Sequence, residues 1–484
     1  MKGILRIAAS LLAVAVSAHL AQAKQLQRAP KLGEPPEAEN VRLAGMNNLQ
    51  ARSAYQPLVH KQGDRYIAYV GHHGGTADIP KPLNPLTGQN EFNGTSILDV
   101  TDPKKPKYLF HIPGEEGLDE AGGGQMVRVC DGKQLPKGDP NAVYLLRTFG
   151  NSAHEIWNVA TPEKPTLITR IEGLKNTHKN FWECDTGIAF LVSGLEGWRV
   201  RRMTQVYDLS DPAHPLKIRD FGIPGQQPGA TGPAPEELHG GISLGAKSNR
   251  VYFGYGTNKN GMLQIVDREK LIKGPAEVTD ANLAAPEVGR LKMSAFNGAH
   301  TVFPMPGMKI DEYSKEKEGQ TRDIALIVDE ELVNECREPR QMVWFADITI
   351  EKAPVIISSW SVPERSGNFC ERGGRFGSHS TNESMAPVFY KKLAMITFFN
   401  AGLRVLDVRN PYQPKEVGYF IPSITKDTTK RCVKDGDKET CKVAIQSNNV
   451  ETDDRGFIYV ADRANTGLHI LELTGEARRI AGLK

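Results

Sequence analysis

The sequence predicts an all-β fold: a seven-bladed β-propeller of four-stranded antiparallel blades, closed by an N-terminal strand. Three observations predict it. One phrase recurs seven times, short alternating strands flank the copies, and no useful length of chain carries helical periodicity. The copies read ILDVTDPKKP from Ile97, IWNVATPEKP from Ile156, VYDLSDPAHP from Val206, QIVDREKLIKGP from Gln264, WFADITIEKAP from Trp344, RVLDVRNPYQP from Arg404 and HILELTG from His469. The position after the apolar pair is Asp99, Asn158, Asp208, Asp267, Asp347, Asp407 and Glu472, at steps of 59, 50, 59, 80, 60 and 65 residues.

Each part of the phrase has a physical reason. Alternating apolar and polar residues make a half-buried strand. The Asp or Asn bonds its own backbone and turns the chain. The second Pro cannot donate to a ladder, so it opens the next strand at an outer edge. That next strand is visible as YLFHIPG, TLITRIEG, KIRDFGIPG, VIISSWSVPE and EVGYFIPS, and two further strands precede each phrase. Four strands per unit at this period make a propeller blade. The blades are expected over 55–114, 122–173, 176–225, 237–290, 297–364, 377–423 and 445–475. The last copy has only three strands, and residues 39–44 (ENVRLA) supply the missing outer one, which removes exposed sheet edges.

The chain opens with an expected signal peptide over residues 1–23. Lys2 and Arg6 are its basic region, 7–18 its short apolar run, and Ala21-Gln22-Ala23 its small-x-small cleavage site before Lys24. Residues 24–484 then form one propeller domain, periplasmic or extracellular, without membrane insertion. The formal charge of +3 includes those two leader cations, so the rest carries about +1 and makes no electrostatic case for nucleic acid.

Six cysteines, Cys130, Cys184, Cys336, Cys370, Cys432 and Cys441, are candidates for disulfides, and six allow fifteen pairings. Cys432 and Cys441 flank a charged turn and suit a local clip. Cys336 and Cys370 bracket one repeat, and Cys130 and Cys184 sit at similar points of neighbouring repeats. The spacings match neither a zinc ribbon nor a CxxC redox motif.

The seven phrases resemble the LVIVD repeat family of exported propellers. The resemblance covers nearly all of residues 24–484 and implies the fold rather than a reaction. The fourth copy departs from it at VDREK, and a long insertion precedes the fifth.

Function is expected where polar residues converge. Inner strands begin at one face of a propeller, and the loops joining second to third strands return there. The inner-strand starts read NTHKN, EELHGG, NGAHTV, GSHSTNE and QSNNVE, and the loops GHHGG, DEELVNE, FFNAG and ADRANTG. His72, His73, His178, His239, His300 and His379 are therefore expected on one mouth, with 61 residues between His178, His239 and His300 in turn. Such a ring suits a transition metal such as Cu, Zn or Fe, or a polar or anionic ligand, or a purely structural network that the repeats copy. Glu237, Glu383 and Glu451 are candidates for orienting a His, ligating a metal or acting as a base. Glu183 and Asp185 have a weaker claim, and Arg147, Arg199 and Arg463 are candidates for clamping a carboxylate. Residues 225–235 form a long inter-blade loop at the same mouth.

No GxSxG elbow, HExxH motif, P-loop or strand-to-helix GxGxxG is present. The sequence thus favours an exported propeller that binds a partner or small ligand at a His-rich mouth, with or without a metal. Two enzyme readings stand beside it. Propellers similar to methanethiol oxidase, of the selenium-binding protein group, imply a His-bound copper at the level of fold alone. A lactonase-like hydrolase with axial calcium fits less well, because His outnumbers acidic residues at the mouth.

Overall fold

The computed structural model describes residues 28–310 and 321–484. The expected leader lies outside the described residues, as do residues 311–320. Seven antiparallel sheets form the ring, each with four strands running from axis to rim. The first blade is Ala54–Gln62, Arg65–His73, Gly94–Asp99 and Lys107–Pro113. The second is Val127–Asp131, Val143–Phe149, Ala153–Asn158 and Thr166–Ile171, and the third Asn180–Trp182, Ile188–Ser193, Met203–Asp208 and Leu216–Phe221. The fourth is Leu238–Ser243, Arg250–Tyr255, Met262–Asp267 and Glu287–Lys292, and the fifth Thr301–Met308, Arg322–Val328, Val343–Asp347 and Val355–Trp360. Ser380–Thr381, Leu393–Thr397, Leu403–Asp407 and Lys415–Ile421 make the sixth.

The seventh blade closes the ring. Ser447–Thr452, Phe457–Asp462 and Gly467–Leu473 supply three strands, and Val41–Asn47 pairs antiparallel along the last of them. The closing strand starts later than the expected 39–44. Asn40 takes a left-handed φ of 52° and breaks the run, and Glu37–Glu39 instead pairs with Lys415–Ile421 as a fifth strand of the sixth blade. One short segment therefore ties two blades together.

The apolar core is not one mass but seven, each between two neighbouring blades. Strand alternation explains this directly. In Arg322–Val328, Ile324, Leu326 and Val328 face the sixth blade while Ala325 and Ile327 face the fourth. Both faces are buried, so the period-2 pattern separates two cores rather than core from water.

The repeated phrase has a repeated structure. Asp99, Asn158, Asp208, Asp347 and Asp407 each accept a hydrogen bond from the backbone N–H two residues on, at 2.8–3.1 Å. Asp267 does otherwise: it accepts from Lys270 N at 2.9 Å and caps the short helix Arg268–Lys273. That cap is the physical content of the departure at VDREK. All seven blades also carry a bulge two residues before the Asp, Asn or Glu, where the outer strand holds one extra residue. The extra residues are Leu109, Ile168, Ile218, Val288, Ile357, Val417 and Ala44, apolar in every case. A bulge sharpens the local twist, which the rim strand of a propeller needs.

Three disulfides join Cys130 to Cys184, Cys336 to Cys370 and Cys432 to Cys441. The first bridges the second and third blades and closes 54 residues. Loop entropy alone gives it about 4 kcal/mol. Replacing both cysteines by Ala is expected to lower unfolding stability by that order, read from denaturant midpoints. An unchanged midpoint would exclude the role.

Candidate functional site

Groups from all seven blades meet around the axis: the side chains of Tyr55, Gln125, His178, His239, His300 and His379, and the backbone carbonyl of Asn448. The ring-to-ring contacts are continuous, tilted or edge-on. Centroid separations are 5.6 Å for Tyr55–His178, 4.7 Å for His178–His239, 3.6 Å for His239–His300, 4.6 Å for His300–His379 and 5.9 Å for Tyr55–His379. His73 meets Tyr55 edge-on at 4.7 Å, and neither of its ring nitrogens has a hydrogen-bond partner. The imidazoles of His73, His178, His239, His300 and His379 are all buried, and burial holds each well below its usual value, so all five are neutral.

The partners of the rings fix their protons. His239 Nδ1 lies 2.9 Å from the carbonyl O of His300, and His379 Nδ1 lies 2.6 Å from that of Asn448. A carbonyl only accepts, so both Nδ1 atoms carry the hydrogen. His178 Nδ1 lies 3.1 Å from Gln125 Oε1, an oxygen oriented by the Gln125 amide donating to Glu120 O. The Nε2 atoms of His178, His239 and His379 therefore carry no hydrogen, and that of His178 lies 3.4 Å from the Tyr55 hydroxyl. Two of them, on His178 and His239, face each other at 2.9 Å. His300 Nε2 is buried with no hydrogen-bond partner.

Glu330 completes the cluster from the loop after Arg322–Val328. Its carboxylate lies 3.9 Å from His300 Nε2, 3.6 Å from His379 Nε2 and 3.1 Å from Arg375 Nη1. Burial pulls its carboxyl up to about 6, against Arg375. Ligand atoms of His239, His300 and Glu330 all lie within 4.8 Å of one another, close enough to be drawn onto one ion by small side-chain shifts. Cys432, Glu439 and Cys441 are equally close, but the two sulfurs are bonded to each other.

Five of the six expected His converge. His72 does not, because successive strand residues point to opposite faces. His73 faces the axis, while His72 turns away to Ser53 O at 3.2 Å and Ser96 Oγ at 2.7 Å. The three expected acids are also placed elsewhere. Glu237 pairs with Arg201 at 2.7 Å on the outer slope of the mouth. Glu383 lies deeper in the channel, bonded to Arg128 and 3.4 Å from Lys179 Nζ; those cations hold it low despite burial. Glu451 accepts from the backbone N–H groups of Glu383 and Ser384 and is pushed by burial to about 7. Glu183 grips Arg268 and Ser243, and Arg147 and Arg199 bind groups of this chain itself. Glu330 and Tyr55 were the residues the sequence did not single out. DEELVNE is one of the mouth loops, and Tyr55 heads one of three inner strands, with those after Gln125 and at Asn448, that no His starts.

The run Gly122-Gly123-Gly124 lets the chain reach this site. Gly123 has φ of +82°, and a Cβ there would stand 2.4 Å from His72 O. Gly123 and Gly124 pair with His73 and His72 and deliver Gln125 to the axis.

His154 is a buried imidazole outside the site, and burial takes it down to about 3. An unfolded chain protonates it near 6.5, so stability is present above that value and is lost as pH falls. His154→Leu is expected to remove this term. Between pH 6.5 and 5 the wild type should lose about 2 kcal/mol more than the variant; equal losses would refute it.

Comparison with known proteins adds little. No protein-family model and no curated protein matches the chain. Among solved structures it is similar to Sqt1 of Chaetomium thermophilum, at 9% identity over 90% of this chain and 99% of that one, with a TM-score of 0.48. It is also similar to a chain of the Mitotic Checkpoint Complex, at 10% identity over 93% and 98%, with a TM-score of 0.44. Likeness at that level carries no argument about this chain, whose function rests on its own residues.

Proposed function

We propose that this chain is an exported propeller of the LVIVD-repeat type that holds a transition metal on its axis and receives a small ligand at the mouth above it. The metal's ligands are His239 Nε2, His300 Nε2 and Glu330, with His178 and His379 beside them. One observation carries the reading: carbonyl and amide oxygens hold the protons on Nδ1 of three rings, so hydrogen-free Nε2 atoms converge on one another and on a carboxylate. Lone pairs facing at 2.9 Å repel unless a cation or proton stands with them. Hydrogen bonds on the far nitrogen are how proteins orient metal-binding His. Imidazole with one carboxylate suits Zn, Cu or Fe rather than calcium.

Export is supported by the three disulfides, which persist in oxidising compartments, and by the leader-like residues 1–23. No described helix is long and apolar enough to cross a membrane. The test is elemental analysis of protein purified without an affinity tag. We expect about one transition-metal ion per chain, or uptake of one after chelation and dialysis. No ion bound in either case overturns the reading.

A further inference from the structure

The mouth above the His cluster contains more arginine than the protein itself uses. Elsewhere in the described residues each buried guanidinium group donates at least one hydrogen bond within the chain, although Arg219 Nε and Arg404 Nη2 are left over. Arg52 donates to Gln50, Glu91 O, Asn93 and Pro82 O, and Arg147 to Glu155, Thr95, Ile112 O and Pro113 O. Arg463 breaks that pattern. It is only 7% exposed, its Nη1 is buried with no partner, and among the described residues its guanidinium makes no hydrogen bond or ion pair. A buried cation without a partner is costly unless something else supplies the negative charge.

Three more arginines share the place. Arg463 begins the loop after Phe457–Asp462, on the same face as His73, whose N–H donates to Ser53 O; Ser53 Oγ in turn donates to Arg463 O at 2.9 Å. Arg431 donates to Arg463 O at 3.3 Å, and its own Nε is buried and unpartnered. It arrives on the hairpin Lys430–Asp435 and Lys438–Val443, which the Cys432–Cys441 bridge staples. Arg375 and Arg202 complete the group, and each has one carboxylate: Glu330 at 3.1 Å and Glu120 at 3.2 Å. Four cations thus share two directly paired carboxylates, with Asp462 and Asp119 also acting on Arg431. The arginines feel one another: Arg431 is pulled down to about 10 by burial and then by Arg463 and Arg375. Glu120, on the rim, is pushed up by burial, yet Arg202, Arg463 and Arg375 hold it below its usual value.

We propose that this arginine group is a binding seat for an oxyanion, a carboxylate or similar group of a small ligand, gripped by Arg463 and Arg431 with Arg375 and Arg202 at its sides. The planar fork of a guanidinium fits such a group in bidentate fashion. The seat explains why the Arg463 guanidinium makes no bond within the described residues while every other buried arginine makes at least one. It deepens the mouth-ligand part of the proposed function and needs no metal.

The test uses full-length protein stripped with chelator, so that failure of the metal reading cannot imitate failure of this one. Acetate, oxalate, sulfate and phosphate are each titrated at constant ionic strength made up with chloride, and melting temperature is followed. We expect saturable stabilisation by several degrees for at least one oxyanion, and the carboxylate and phosphate or sulfate arms identify the group preferred. Arg463→Gln should weaken that binding at least tenfold, while raising the melting temperature in chloride alone by relieving the unpaired charge. Arg431→Gln, on a hairpin stapled independently, should weaken it at least threefold and carries the test if Arg463→Gln does not fold. Arg201→Gln, already paired with Glu237, should change nothing. No oxyanion-specific shift in the wild type, or equal shifts in wild type and both seat variants, overturns the proposal.

Discussion

Glu155→Ala is expected to cost about 3–5 kcal/mol, the largest single loss this fold offers. Glu155 and Arg147 are both fully buried, and Arg147 Nε and Nη2 meet Glu155 Oε2 at 2.9 and 2.7 Å. Arg170 Nε donates to the other oxygen at 2.9 Å, and Trp157 Nε1 donates at 2.8 Å. Arg147 also reaches across to Thr95, Ile112 O and Pro113 O of the first blade. The carboxylate thus neutralises a cation that binds two blades together. Removing it leaves that fully buried cation without its carboxylate. Arg147→Met with Glu155→Ala should recover most of the loss, because the uncompensated charge goes with it. Urea midpoints of the two single variants and the double variant check this. A double variant as unstable as the sum of the singles would show that the pair is not the unit.

That pair also shows why the site was only partly legible. Arg147 looked available for a ligand, since a sequence shows a residue near a mouth but not the carboxylate that consumes it. Periodicity fared better. Seven phrases at near-regular steps gave the blade count, and the Asx turns at Asp99, Asn158, Asp208, Asp347 and Asp407 follow from side-chain chemistry alone. The seven bulges did not show. An extra apolar residue such as Ile218 changes register without changing composition, and only the pairing partner reveals it. His72 and His73 show the same limit at the site. Adjacent strand residues must diverge, but which one faces the axis depends on the strand's phase in the sheet. Glu330 was hidden among Asp329, Glu331 and Glu335 in one acidic loop, where composition cannot choose the inward residue.

Replacing His239 and His300 together by Ala should abolish metal-dependent stabilisation of the protein. For wild type, metal at about a thousandfold excess over its dissociation constant contributes about 4 kcal/mol, because it binds the folded state alone. That is several degrees in melting temperature for a domain of this size. The variant loses two of the three groups whose ligand atoms lie within 4.8 Å, leaving Glu330 with only His379 as a close imidazole. The comparison that decides is between loaded and chelated forms of each protein, not between wild type and variant. Two ring deletions beside His178 and His379 leave a cavity and destabilise the fold by packing alone, with or without metal. A structural role for the rings therefore predicts the same loss in both forms. A metal site predicts that the gap between loaded and chelated wild type closes in the variant. Tyr55→Phe is the control within the same ring: it removes the hydroxyl 3.4 Å from His178 Nε2 while leaving the proposed ligands in place, so the gap should persist. A gap that survives in the double variant, or is absent from wild type, removes the metal from the axis and leaves the imidazoles as packing.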